Sequence, residues 1–227
     1  MPILFHMAES NIETDRRAFL DVLLDHVPFD GWTGKAMAAA AADAALDPSF
    51  SQRAFPRGPI DAIDFFNEVA DEAMVDALQA SDIETMRVRD RIGNAIRLRL
   101  EQNTQHRDAV RRALTTLSFP PNAPVGARCL YRTVDAIWRA AGDTATDFNF
   151  YTKRALLAGV YSSTLLYWLN DSSDGFERTW AFLDRRIEDV MRVPKITQRV
   201  KDGLAGIPDP MGFRHFFKRR GPGPFKR

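Results

Sequence analysis

Residues Phe148–Leu169 read FNFYTKRALLAGVYSSTLLYWL. From Ala155 onward this is the longest strongly apolar stretch of the chain, and Lys153 and Arg154 stand directly before it. It falls short of the roughly 20 residues that a membrane-spanning helix needs, so it is read as a helix buried in a protein core. The polar run Asn170-Asp171-Ser172-Ser173 closes it.

The helical pattern continues outward on both sides. Downstream, a helix is expected over 176–191, and Pro194 suits the first turn of a last one reaching about residue 205. Upstream, Leu130, Val134, Ile137 and Trp138 keep helical spacing over 125–141, and Gly142 fits a left-handed residue just past the end. An amphipathic helix over 107–117 runs into the loop Phe119-Pro120-Pro121-Asn122. The front half predicts helices over 13–27, stopped by Pro28, then over 35–45, a short third opened by Asp47-Pro48, and 60–79. The box Ser81-Asp82-Ile83-Glu84 is expected to cap a fifth helix ending near Thr104. No segment alternates with the period of two that a strand requires, so the chain reads as all-α. Three parts are expected: a three-helix unit over 1–56, a larger helical domain over 57–192, and an amphipathic helix with a basic, partly disordered tail over 193–227.

Composition agrees with a globular protein: 45% hydrophobic and 27% charged residues over 227 positions. Cys129 is the only cysteine, which excludes a disulfide framework and a thiolate metal site. The N-terminus MPILFHMAES shows neither the basic nor the apolar region of a signal peptide. The net charge of +1 hides two opposed ends. Residues 1–80 carry five Lys or Arg against fourteen Asp or Glu, and residues 185–227 carry twelve against four.

The front three helices, with Gly31-Trp32-Thr33 between the first two and Phe55-Pro56 after the third, resemble the N-terminal domain of TetR-type repressors. A DNA reader draws most of its affinity from neutralising phosphates. Here the third helix and its exit offer only Arg53 and Arg57 inside a strongly acidic segment, which argues against DNA as a partner. A ligand-responsive repressor is kept as the alternative reading.

Four pieces of the back half carry a more specific resemblance. They are Pro120 to Pro124 (PPNAP); Trp138 followed by Ala141-Gly142-Asp143; Thr146-Asp147-Phe148-Asn149-Phe150-Tyr151-Thr152-Lys153-Arg154-Ala155; and Asp171-Ser172-Ser173 with Phe176, Thr179-Trp180, Phe182-Leu183 and Arg186. Over roughly residues 14–205 the chain resembles the ubiquinone-biosynthesis accessory family with a TetR-like fold, the ninth-numbered Coq proteins of mitochondria and their bacterial relatives. The resemblance implies a non-catalytic protein that binds an isoprenoid quinone lipid and presents it to the di-iron hydroxylase acting late in ubiquinone synthesis. It implies a homodimer and no cofactor. A mitochondrial targeting sequence is not seen, so the expected location is a bacterial cytoplasm, peripheral on the inner face of the membrane.

Candidate sites follow. The lipid is expected on Leu130, Val134, Ile137, Leu156, Leu157, Val160, Tyr161 and Leu165, although a periodic apolar face also packs as ordinary core. The partner enzyme is expected on Asp171, Trp180, Leu183, Asp184 and Ile187 with Trp168 nearby, since Trp180, Leu183 and Ile187 share a helix face and Trp is favoured at interface hot spots. Thr146 or Asp147 is expected to cap the following helix. Lys195, Ile196, Arg199, Val200, Lys201 and Leu204 make a basic amphipathic pattern suited to an anionic membrane surface. Catalytic patterns are missing: His6, His26, His106 and His215 are scattered, none pairs with Glu at the spacing of a di-iron ligand set, and no HExxH, glycine-rich phosphate loop or serine elbow occurs. The run Arg87, Arg89, Arg91, Arg97 and Arg99 is read as a solvated face beside Asp90 and Glu101.

Overall fold

A computed structural model describes residues 2–47, 49–81, 85–142 and 148–190, with side chains placed from residue 12 onward except at 148–150. The described residues form helices and no strand. The main elements are α1 (Pro2–Asp30), α2 (Gly34–Asp43), α3 (Phe50–Ala54), α4 (Pro59–Gln79), α5 (Val88–Glu101), α6 (Arg107–Leu117), α7 (Ala123–Ala140), α8 (Phe148–Asn170) and α9 (177–190). None of them is long and apolar enough to cross a membrane.

Gly31-Trp32-Thr33 shows how local chemistry seats the front end. α1 runs through Pro28 to Asp30 rather than stopping at the proline. A proline in the last turn forfeits only one helical bond. Gly31, at φ +70°, then turns the chain and donates its N–H to the Val27 carbonyl. Thr33 caps α2 by accepting from the Ala36 N–H at 3.2 Å. Between them Trp32 is buried, donates Nε1–H to the Ala109 carbonyl of α6 at 3.0 Å and packs on Phe66 of α4.

That tryptophan is part of a continuous core. Phe19, Leu23, Phe50 and Phe55 pack in one apolar cluster with Ile63 and Phe65 of α4, Ala113 of α6 and Val125 of α7. The boundary expected at 56/57 therefore has no counterpart in the packing. The chain divides instead into Met1–Arg185 and Arg186–Arg227.

Other expectations shift for identifiable reasons. Asp82, Ile83 and Glu84 of the expected capping box lie outside the described residues, but Ser81 turns its hydroxyl back to the Ala77 carbonyl and α5 starts only at Val88. Arg99 is not on a solvated face. It is buried, and its Nε donates to Asp71 Oδ1 at 2.8 Å, because Asp71 of α4 and Thr133 of α7 meet it in the interior. Gly142 takes φ +88° after α7, as its position implies. Thr146 and Asp147, and everything from residue 191, lie outside the described residues.

Candidate ligand cleft

Helices α6, α7 and α8 enclose an open cleft of about 340 Å³, closed on one side by Asn67 of α4. On α7 the wall is Ala123, Gly126, Ala127 and Leu130, positions i, i+3, i+4 and i+7 that share a helix face. On α6 it is Leu114 and Leu117; on α8 it is Tyr161, Ser162, Leu165 and Leu166. Gly126 matters for the shape: a Cβ there would lie 3.3 Å from Leu117 Cβ, so glycine lets α7 close on α6. No charged side chain lines the cleft.

Behind the cleft lies a chamber of about 30 Å³ that shares Asn67, Leu114, Leu117, Tyr161 and Leu165 with it. Arg99, Asn103 and Trp168 complete its polar lining. A space of this size holds about one or two water-sized groups. Tyr161 is 5% exposed and borders both spaces. Burial pushes that phenol above its ordinary range, with the Arg99 charge opposing, so it is a neutral donor. Trp168 is fully buried and its Nε1–H lacks an acceptor.

Ion pairs brace the cleft from behind. Asp71 accepts from Arg99, from Thr133 Oγ1 at 2.8 Å and from Arg132 Nε at 3.5 Å. Asp64 accepts from Arg128 and, at 3.3 Å, from Cys129 Sγ. Burial and the neighbouring Asp64 charge push the Cys129 thiol up to about 12, so it stays a protonated, inert donor. Between α7 and α8, Asp135 accepts from Arg154 Nε at 2.8 Å with both residues buried. The C-terminal carbonyls of α8 are met by α6: Arg107 donates to the Trp168 and Asp171 carbonyls and Arg111 to that of Leu169. Cations suit a helix C-terminus.

The comparisons with known proteins give the family and the fold. A family model described as COQ9 matches residues 123–194, which take in the α7 and α8 walls of the cleft. The Rattus norvegicus protein named ubiquinone biosynthesis protein COQ9, mitochondrial, is 34% identical over 196 residues, covering 83% of this chain and 62% of that protein. Its Drosophila melanogaster counterpart is 30% identical over 215 residues, covering 93% of this chain and 63% of that protein. The chain belongs to the COQ9 family. It spans about three fifths of the length of these relatives. In three dimensions it is similar to a TetR transcriptional regulator from Nitrosomonas europaea ATCC 19718, with a TM-score of 0.64 at 20% identity over 76% of this chain and 95% of that one. The fold is therefore TetR-like.

Within this COQ9-family chain the sequence-predicted residues separate. Of the eight lipid candidates, Leu130, Tyr161 and Leu165 line the cleft. Val134, Ile137, Leu157 and Val160 are buried in the core, and Leu156 is half-buried outside the cleft lining. Asn67, Leu114 and Leu117 were missed, because only tertiary packing brings α4 and α6 to this wall, and Gly126 of α7 because a glycine adds nothing to an apolar pattern.

The expected partner face is turned inward. Trp168, Trp180, Leu183 and Asp171 are 0%, 7%, 3% and 6% exposed, so they cannot form an exposed docking face. The apolar stripe Trp180–Leu183 packs as core, while Asp184 is exposed and Ile187 half-buried. Asp171 has a structural task instead. Its Oδ1 accepts from the Ser173 N–H and hydroxyl and its Oδ2 from those of Thr179, which fixes the start of α9. Burial works against the charge, but the Thr179 and Ser173 hydrogen bonds outweigh it and hold this carboxyl well below the usual carboxylate range. The membrane candidates Lys195, Ile196, Arg199, Val200, Lys201 and Leu204 lie outside the described residues.

The front end keeps the TetR shape without its charge. α3 has five residues. Arg53 is tied to Ser49 and Asp47, and Arg57 to Asp61 and Asp64.

Proposed function

We propose that this chain works in ubiquinone biosynthesis as a non-catalytic carrier. It takes an isoprenoid quinone precursor into the α6–α7–α8 cleft and presents it to the di-iron hydroxylase that acts on the demethoxy intermediate. The observation that carries this reading is the uncharged cleft of about 340 Å³ in a member of the COQ9 family. A charged ligand would find no counter-ion on its walls, whereas apolar ligand surface buried there contributes about 25 cal/mol per Å². That gain offsets the cost of moving the enclosed end of a lipid from the bilayer into the protein.

The basic end extends the reading. Residues 185–227 carry a net charge of +8, and each basic group near an anionic surface contributes about 1 kcal/mol. The carrier is thus a peripheral protein that meets its ligand at the membrane, acting as a homodimer. The repressor alternative is not favoured, since the arginines of α3 and its exit are engaged by acidic neighbours.

Deleting the gene tests the role. Ubiquinone should fall and the demethoxy precursor accumulate in lipid extracts; an unchanged quinone profile would overturn it.

A further inference from the structure

We propose that the cleft holds its ligand by the oxygen-bearing end, with the hydrocarbon tail leaving through the mouth into the bilayer. This rests on the carrier reading above and adds the orientation of the bound molecule.

Size is the first argument. Pockets that enclose a whole small ligand measure about 300–1,000 Å³, and this cleft, at about 340 Å³, sits at the lower limit. A long polyprenyl chain with its ring exceeds it, so one end of the amphiphile remains outside.

Polarity decides which end enters. The mouth is apolar: Ala127 is exposed and Leu166 is 57% exposed. The inner end is not. Tyr161 borders both cleft and chamber, is 5% exposed and brings a hydroxyl to their junction. Trp168, seven residues on along the same face of α8, lines the chamber with an Nε1–H that has no acceptor. Arg99 adds a cation to the same lining. A buried donor without an acceptor is costly, and a hydrocarbon end would leave the Trp168 Nε1–H so. A quinone carbonyl or an aryl ether oxygen satisfies it, and a chamber of about 30 Å³ has room for that atom rather than for a ring. The ring then occupies the cleft proper, and the tail follows the Ala127–Leu166 side outward.

The test compares a short prenylated benzoquinone with the hydrocarbon analogue of its tail, using the purified full chain. Tyr161→Phe should weaken quinone binding about tenfold, the loss of one hydrogen bond to a buried group, and leave hydrocarbon binding unchanged. In the unaltered protein, a tail-less dimethoxybenzoquinone should displace the prenylated quinone. That competition decides the matter even if the variant fails to fold. Equal quinone affinities for Tyr161→Phe and the parent, or displacement by the hydrocarbon but not by the tail-less quinone, would overturn the orientation and leave the carrier standing. Binding of neither ligand would overturn the carrier reading and this inference with it.

Discussion

The two ends of unit Met1–Arg185 carry the same architectural inheritance and opposite chemistry. The front helices α1–α3 belong to the TetR-like fold, yet the cations there and at the exit of α3 are spent on nearby carboxylates: Lys35 on Asp30, Arg57 on Asp61 and Asp64. The cleft region does the reverse. Its charges are gathered behind the wall, as in Arg99–Asp71, and the lining of the cleft itself is uncharged. Where charge is placed, rather than which helices are present, separates the two ends of this fold.

The sharpest way to break this contrast is to unpair the charge behind the cleft. Asp71→Ala leaves Arg99 buried without its partner and should cost about 3–5 kcal/mol in urea unfolding. Smaller, and dependent on pH, is Asp171→Asn, which removes charge-assisted bonds at the start of α9 and should cost about 1–2 kcal/mol near neutrality. The folded pKa of Asp171 is depressed, so its contribution is fully present above the ordinary carboxylate value near 4. It is lost as pH falls through the lower folded value, and the parent and variant should converge in acid. A gap constant down to strongly acidic pH would contradict the assignment.

Ala127→Trp, at the exposed lip of the cleft, should reduce quinone binding about tenfold or more while the melting temperature holds, since the added ring fills ligand space rather than core. At the front end, Arg57→Ala should change stability by less than about 1 kcal/mol, because its pairs are at a half-exposed side chain. It should also leave the absence of a duplex-DNA gel shift at moderate salt unaltered. A large loss there, or a shift in the parent protein, would put function back at the wrong end.

Helix positions were legible wherever a punctuating residue has a single physical meaning. The 107–117 helix coincides with α6, and Gly142 closes α7 with a positive φ. The first helix was misjudged at Pro28, since the sequence does not reveal that the proline falls in a last turn, where it is cheap. Periodicity identifies a face and not its direction: Trp180 and Leu183 share one, and it points into the core. For the same reason only Leu130, Tyr161 and Leu165 of the lipid candidates reach the cleft. Arg99 looked solvated because its partner Asp71 is on another helix, far away in sequence.

The central claim is that the cleft encloses lipid. Native mass spectrometry of the chain purified from its own cells tests it directly. The expected result is a bound species with the mass of a prenylated quinone precursor, lost in Ala127→Trp. A chain that emerges lipid-free from cells rich in that precursor would contradict the account.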